Sequence, residues 1–170
     1  MWTFSEAIDI MADPQELFLV VGDLMTRGHY LPDMVMAIRE TAPRPPSETE
    51  KVFPGQSISF LQDGEQRDHE IADVEEWDQA EARIVEKVLR SPKEESINWR
   101  ISELIQGTYR VTVTYSANYG ALEKISKGRR ARNFYAVALS RLKRYVEDKR
   151  SFAGPRTYAP KPTPLDPLAP

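Results

Sequence analysis

The chain has 170 residues, 41% hydrophobic and 29% charged, with a net charge of −3, an ordinary composition for one soluble domain large enough to bury a core. It has no cysteine, which excludes disulfides, thiolate nucleophiles and cysteine-based metal sites. No apolar run reaches the roughly 18 residues of a membrane-spanning helix, and "MWTFSEAIDIMAD" lacks a basic leader or signal-type block, so a cytoplasmic protein is expected.

Trp2, Phe4, Ile8 and Ile10 share one alternation, interrupted at Glu6, and predict a first strand. In "ADPQELFLVVGDL", Asp13 is a good N-cap, Pro14 suits the first helical position and Glu16 stands three after the cap. Leu17, Phe18, Val20, Val21 and Leu24 supply a buried face, and Gly22 keeps the helix short. "TRGHYLPDM" reads as a turn or short helix, since Pro32 discourages helix at Leu31. "MVMAIRETA" (34–42) reads as a strand, and "PRPPSETEKVFPG" (43–55), with four prolines, as a loop.

Strand-like runs follow at 56–62, 69–77, 81–90 and 96–104, then "GTYRVTVTYSANYG" from Gly107. Turn signals at 63–65, 78–79, 91–95 and 106–107 separate them, which predicts an antiparallel meander. In the last run Tyr109, Val111, Val113 and Tyr115 form one face, and Thr108, Arg110, Thr112 and Thr114 the other. A final helix is expected from about Ser126 to about Lys149. Its apolar stripe is Ala131, Phe134, Tyr135, Ala138, Leu139, Leu142, Tyr145 and Val146. Residues 154–170 hold six of the thirteen prolines and no periodicity. The expected division is a domain over 1–150 and a disordered or extended tail over 151–170. A strand, a short helical segment, about six more antiparallel strands and a long helix make an α+β layout. A curled sheet leaves a gap beneath the helix that can become a pocket.

The chemistry-bearing residues are few. The two histidines, His29 and His69, sit in no metal-ligand spacing. On a strand, Asp68 and Glu70 point one way and His69 the other, so no metal site and no cofactor are expected. No nucleophile elbow or phosphate-binding glycine loop occurs. Glu86 interrupts the apolar row Ala82, Ile84 and Val88; buried there it needs a partner, unless Val85 and Leu89 mark the buried face instead. Arg39, His69, Glu86, Tyr109 and Tyr115 are the candidate acid, base or donor groups. Trp99, Tyr109, Tyr115 and Phe134 line a pocket or fill the core. The apolar end of the 43–55 loop, Val52, Phe53 and Pro54, either covers a cavity mouth or belongs to a plain solvent loop.

Charge is uneven: residues 1–122 carry −11 (11 basic, 22 acidic) and residues 123–150 carry +7 (10 basic, 3 acidic). Lys124, Lys127, Arg129, Arg130 and Arg132 crowd the start of the final helix, the end at which the dipole disfavours cations. This suits either a helix that balances an acidic body or contact with an anionic surface or acidic protein. Nucleic acid is not expected.

In this order the phrases resemble the START-like (Bet v 1-like) superfamily of polyketide cyclase/dehydrase and lipid-transport proteins, also called SRPBCC. "IDIMADPQELFLVVGDL" is similar to its first strand and helix start, and "HYLPDMV" to its approach to the second strand. "VEEWD" resembles a strand end, "GTYRVTVTYSANYG" the last strand and "YAVALSRLKRYVED" the closing helix, so the resemblance spans residues 2–149. It implies a helix-grip fold, with a curved antiparallel sheet of about six to seven strands around a long C-terminal helix. It further implies binding of a hydrophobic or amphipathic small molecule, such as a lipid, quinone or polyketide-like compound, between sheet and helix. The alternatives are an aromatase/cyclase-type enzyme and a protein-interaction module using the basic helix or the tail. The superfamily shares no catalytic motif to carry over. The expected cavity-lining residues are Arg39, His69, Glu86, Trp99, Tyr109, Val111, Val113, Tyr115, Phe134, Ala138, Leu142 and Tyr145, with Tyr30, Leu31 and Phe53 at the mouth.

Overall fold

A computed structural model describes residues 1–32, 35–40, 52–62, 64–78 and 80–152, with the backbone alone at 35–40, 78 and 150–152. The strands are β1 (Trp2–Met11), β2 (Val35–Glu40), β3 (Ser57–Gln62), β4 (Glu65–Asp78), β5 (Glu81–Leu89), β6 (Ser96–Ile105) and β7 (Thr108–Ala117). The helices are α1 (Pro14–Gly22), a 3-10 helix (Leu24–His29) and α2 (Ala121–Phe152). The strands form one antiparallel sheet in the order β1-β7-β6-β5-β4-β3-β2, a meander whose last strand takes the first as its outer neighbour. This is the α+β helix-grip arrangement, with α2 laid along the inner face of the sheet.

The period-two strands face as expected. On β7, Tyr109, Val111, Val113, Tyr115 and Ala117 are buried, while the threonines and Arg110 face outward. On β5, Ala82, Ile84, Glu86 and Val88 are buried, so the inward row is the one containing Glu86; Leu89 faces out. The pairing of β4 with β5 shifts register between Ile71 and Asp73 and again between Glu75 and Asp78. Such bulges bend and twist a long strand, which suits a sheet that curls around a helix.

Asp13 caps α1, accepting hydrogen bonds from the backbone N–H groups of Gln15 and Glu16 at 3.0 Å each. The helix stops at Gly22, where a Cβ would stand 2.5 Å from a methyl of Val52. Three expected boundaries need correction. β4 begins at Glu65, four residues before 69, because the polar run Glu65–Asp68 still pairs with β3. α2 begins at Ala121, five residues before Ser126. Gly120 is its cap: the Lys124 N–H donates to the Gly120 carbonyl, and the Glu123 carboxylate accepts from the Gly120 N–H at 3.1 Å. The helix also runs to Phe152, past the expected limit of the domain. Residues 43–51 of the proline-rich loop and 153–170 of the tail lie outside the described residues.

The core is formed by α1, the inner sheet face and the second half of α2. Ile10, Leu17, Val21, Trp99, Val111, Val113, Ala138, Leu142 and Val146 are all fully buried there. Trp2 packs on α2 at Gly128, where a Cβ would come within 2.6 Å of the indole ring.

Candidate functional site

α2 follows β7 in the chain and packs chiefly on β7's neighbour β1. The gap between sheet and helix lies at the C-terminal end of β7 and the N-terminal half of α2. It is a cavity of about 300 Å³. Ile58 and Phe60 (β3), Arg67 and His69 (β4), Glu86 and Val88 (β5), Tyr115 (β7) and Phe134 and Tyr135 (α2) form much of its wall. Glu65, Lys93, Tyr119, Lys127 and Arg130 complete its polar side.

Two buried carboxylates organise this wall. Glu86 is 1% exposed and Arg27, in the 3-10 helix, 3%. Arg27 Nη2 donates to Glu86 Oε1 and, at 2.8 Å, to the Val21 carbonyl. The guanidinium also lies 4.6 Å from the Trp99 ring centroid, a cation–π contact in a desolvated site. The second oxygen of Glu86 is 3.3 Å from Nδ1 of His69. Burial alone pushes the Glu86 carboxyl up, but the Arg27 charge and the His69 hydrogen bond outweigh it, and the carboxyl is held below its ordinary range.

Glu95 is the second, at 5% exposure. Arg67 holds it bidentately, with two N–H···O contacts of 3.0 Å, and Ser91 Oγ donates at 2.8 Å. The Tyr115 hydroxyl donates to the same carboxylate, and the Tyr119 hydroxyl stands 2.7 Å from that of Tyr115. Burial raises the Glu95 carboxyl; its bonds to Arg67 and Tyr115 lower it further than burial raises it. Burial pushes the Tyr115 phenol far up, and the donated hydrogen bond to Glu95 adds to this. Glu95 is swung inward by the β5–β6 turn, in which Arg90 and Glu94 adopt left-handed backbone angles of φ 58° and 49°.

Of the residues expected to line a cavity, the structure places His69, Glu86, Tyr115 and Phe134 in this wall, and Leu31 with them. Trp99, Val111, Val113, Ala138 and Leu142 are buried in the core instead. They share the inward face but lie where helix and sheet meet. Tyr109 is at the far end of β7 against Trp77 (centroids 5.6 Å), and Tyr145 stacks on His29 (4.7 Å). Tyr30 is fully buried next to Trp99, and Phe53 is half-buried outside the wall. The Arg39 side chain lies outside the described residues.

Arg27, Arg67, Glu95, Tyr119 and Tyr135 are wall residues that sequence reasoning did not place there. Arg67 was within reach, since it shares the inward parity of His69 and Ile71 once β4 is extended. Arg27 and Glu95 sit in a 3-10 helix and a turn, where no period marks the inner face. The wall is also more polar than a grip cavity for a purely hydrophobic guest. The cations at the start of α2 are partly answered by ion pairs: Lys127 with Glu123 at 3.2 Å, and Arg132 with Glu6. Glu123, beside Lys93, its capping N–H and Lys127, is lowered to about 2. Among the described residues no cluster of three metal-ligating side chains occurs, and no helix is long and apolar enough to cross a membrane.

No family model matches the sequence, and no curated protein matches it significantly. Solved structures of the same helix-grip architecture do match. A hypothetical protein from Helicobacter pylori, jhp0584, superposes with a TM-score of 0.67 at 15% identity, over 85% of this chain and 88% of that one. The Aha1 dimer from Colwellia psychrerythraea gives 0.60 at 16%, over 86% and 97%. DynU16, a protein of the dynemicin biosynthetic locus, gives 0.57 at 15%, over 86% of this chain and 48% of that one. At these identities the likeness is one of fold.

Proposed function

We propose that the protein reversibly binds a compact amphipathic molecule in the cavity between sheet and α2. The observation that carries this reading is the combination in one wall of apolar side chains (Ile58, Phe60, Val88, Phe134) with two buried carboxylates held rigidly by Arg27 and Arg67. Apolar surface supplies affinity, and a few fixed polar groups set orientation. At about 300 Å³ the cavity lies at the small end of the range for ligand sites. That suits a ring system bearing oxygen substituents better than an extended two-chain lipid. The sequence resemblance to START-like proteins supports the same class of guest.

The test is native mass spectrometry of the purified protein, followed by denaturing extraction. A retained small molecule that is lost in Ala131→Trp, which narrows the cavity, supports the reading. An empty protein whose melting temperature is unmoved by a panel of oxygenated aromatic and single-chain amphipathic compounds counts against it.

A further inference from the structure

The Arg27–Glu86 pair is electrically complete without a third member, yet His69 is placed against the remaining carboxylate oxygen at 3.3 Å. The ring is fixed from a second side by Phe60, whose centroid lies 4.8 Å away edge-on. His69 also satisfies the second oxygen of the buried Glu86, which an apolar residue at 69 would leave without a partner. Among the described residues His69 Nε2 has no hydrogen-bond partner, and it is not sealed from solvent as Arg27 Nε is. With Nδ1 engaged by Glu86, Nε2 is the nitrogen left for the cavity whose wall His69 forms.

We propose that His69 is a general base in this cavity and that Glu86 is the positioning residue that fixes its proton on Nδ1. A carboxylate behind an imidazole holds the tautomer and steadies the cation formed when the other nitrogen takes a proton. Here Arg27 keeps that carboxylate ionised in a buried setting. The second component is Arg67, two residues earlier on the same face of β4 and so about 7 Å along the strand. Two of its five donors go to Glu95. The others are available to an oxygen that gains charge.

A base and a cation that neighbour one another on one strand face fit a carbonyl compound with an acidic C–H. Nε2 takes the proton from the carbon next to the carbonyl. The C–H electron pair becomes the C=C bond, and the carbonyl π pair moves to oxygen beside Arg67. The imidazolium then returns its proton to the oxygen or to another carbon of the same molecule. The net change is an isomerisation that needs no co-reactant. This inference rests on the cavity as a small-molecule site, but its decisive measurement does not need a ligand.

Long-range proton–nitrogen NMR reads the tautomer of each histidine, and the chain has only two, so His29 serves as the internal reference. The expected result is His69 protonated on Nδ1, shifting toward the Nε2–H form in Glu86→Gln. The wild-type reading stands even if that variant folds poorly. The rate probe is 5-nitrobenzisoxazole, whose ring opens when a base removes its carbon-bound proton. His69→Asn should lower protein-dependent turnover about 100-fold or more. An Nε2–H imidazole or an imidazolium at pH 7 to 8 overturns the proposal, as does turnover that is absent in the wild type or unchanged in His69→Asn. A retained guest alongside an Nε2–H imidazole would leave the binding reading standing and remove this one.

Discussion

Arg27 and Glu86 lie 59 residues apart in the chain and meet as an ion pair, with side-chain exposures of 4% and 2%. The contact ties the 3-10 helix after α1 to the centre of the sheet. It gives the cavity a fixed charge pair in place of a mobile one.

Removing either partner leaves a buried charge unpaired. Arg27→Met and Glu86→Leu should each cost about 3–5 kcal/mol, while the double variant should recover most of the loss. Urea denaturation of the four proteins checks this. Additive losses in the double variant would show that the two residues act separately.

Acid should weaken the fold through these same carboxylates. Glu86 and Glu95 have folded values below the ordinary glutamate value of 4.5. Their contribution is therefore present above about pH 4.5 and is lost as pH falls through the lowered values. Glu95→Gln should cost about 2–3 kcal/mol at pH 7, and the gap to wild type should narrow as pH falls below about 4.5. A gap independent of pH would contradict the assignment.

At the other end of the scale, burial raises the phenols of Tyr30, Tyr115 and Tyr135. Their contribution is complete below about pH 10 and is lost as pH rises toward the raised values. In an alkaline ultraviolet titration these three of the seven tyrosines should ionise only together with unfolding. Seven phenols titrating smoothly near pH 10 in folded protein would be the contrary result.

The Trp2 ring rests where Gly128 has no side chain. Alanine normally favours a helix over glycine by about 1 kcal/mol. Here Gly128→Ala should instead destabilise by about 1–3 kcal/mol, because the indole must move. Thermal melting with tryptophan fluorescence would detect both the loss and the displaced ring; a stabilised variant would contradict the close packing.

The fold was legible in the sequence wherever an element has a clean period. Alternation on β7 and the stripe on α2 identify the buried face, whereas the row on β5 left it open between Glu86 and Val85 with Leu89. The site was legible only where chemistry broke a period. Glu86 stood out as a carboxylate in an apolar row, and His69 as the inward member of a polar run. Period identifies a face but not a position along it, so Val111 and Leu142 were grouped with Tyr115 and Phe134, although only the latter pair reaches the cavity. Arg27 and Glu95 come from segments held by long-range partners, and no local pattern announces them. The start of α2 was misjudged because its cap is a glycine, with the carboxylate three residues on supplying the bond.

α2 divides its tasks along its length. From Ala138 onward its inward residues are sealed in the core, whereas Lys127, Arg130, Ala131 and Phe134 face the cavity. On the binding function proposed above, substitutions in those earlier turns alter guest preference while the later turns preserve folding. Descendants of this chain could change specificity by drift at a handful of helical positions, with their stability carried by residues a few turns away.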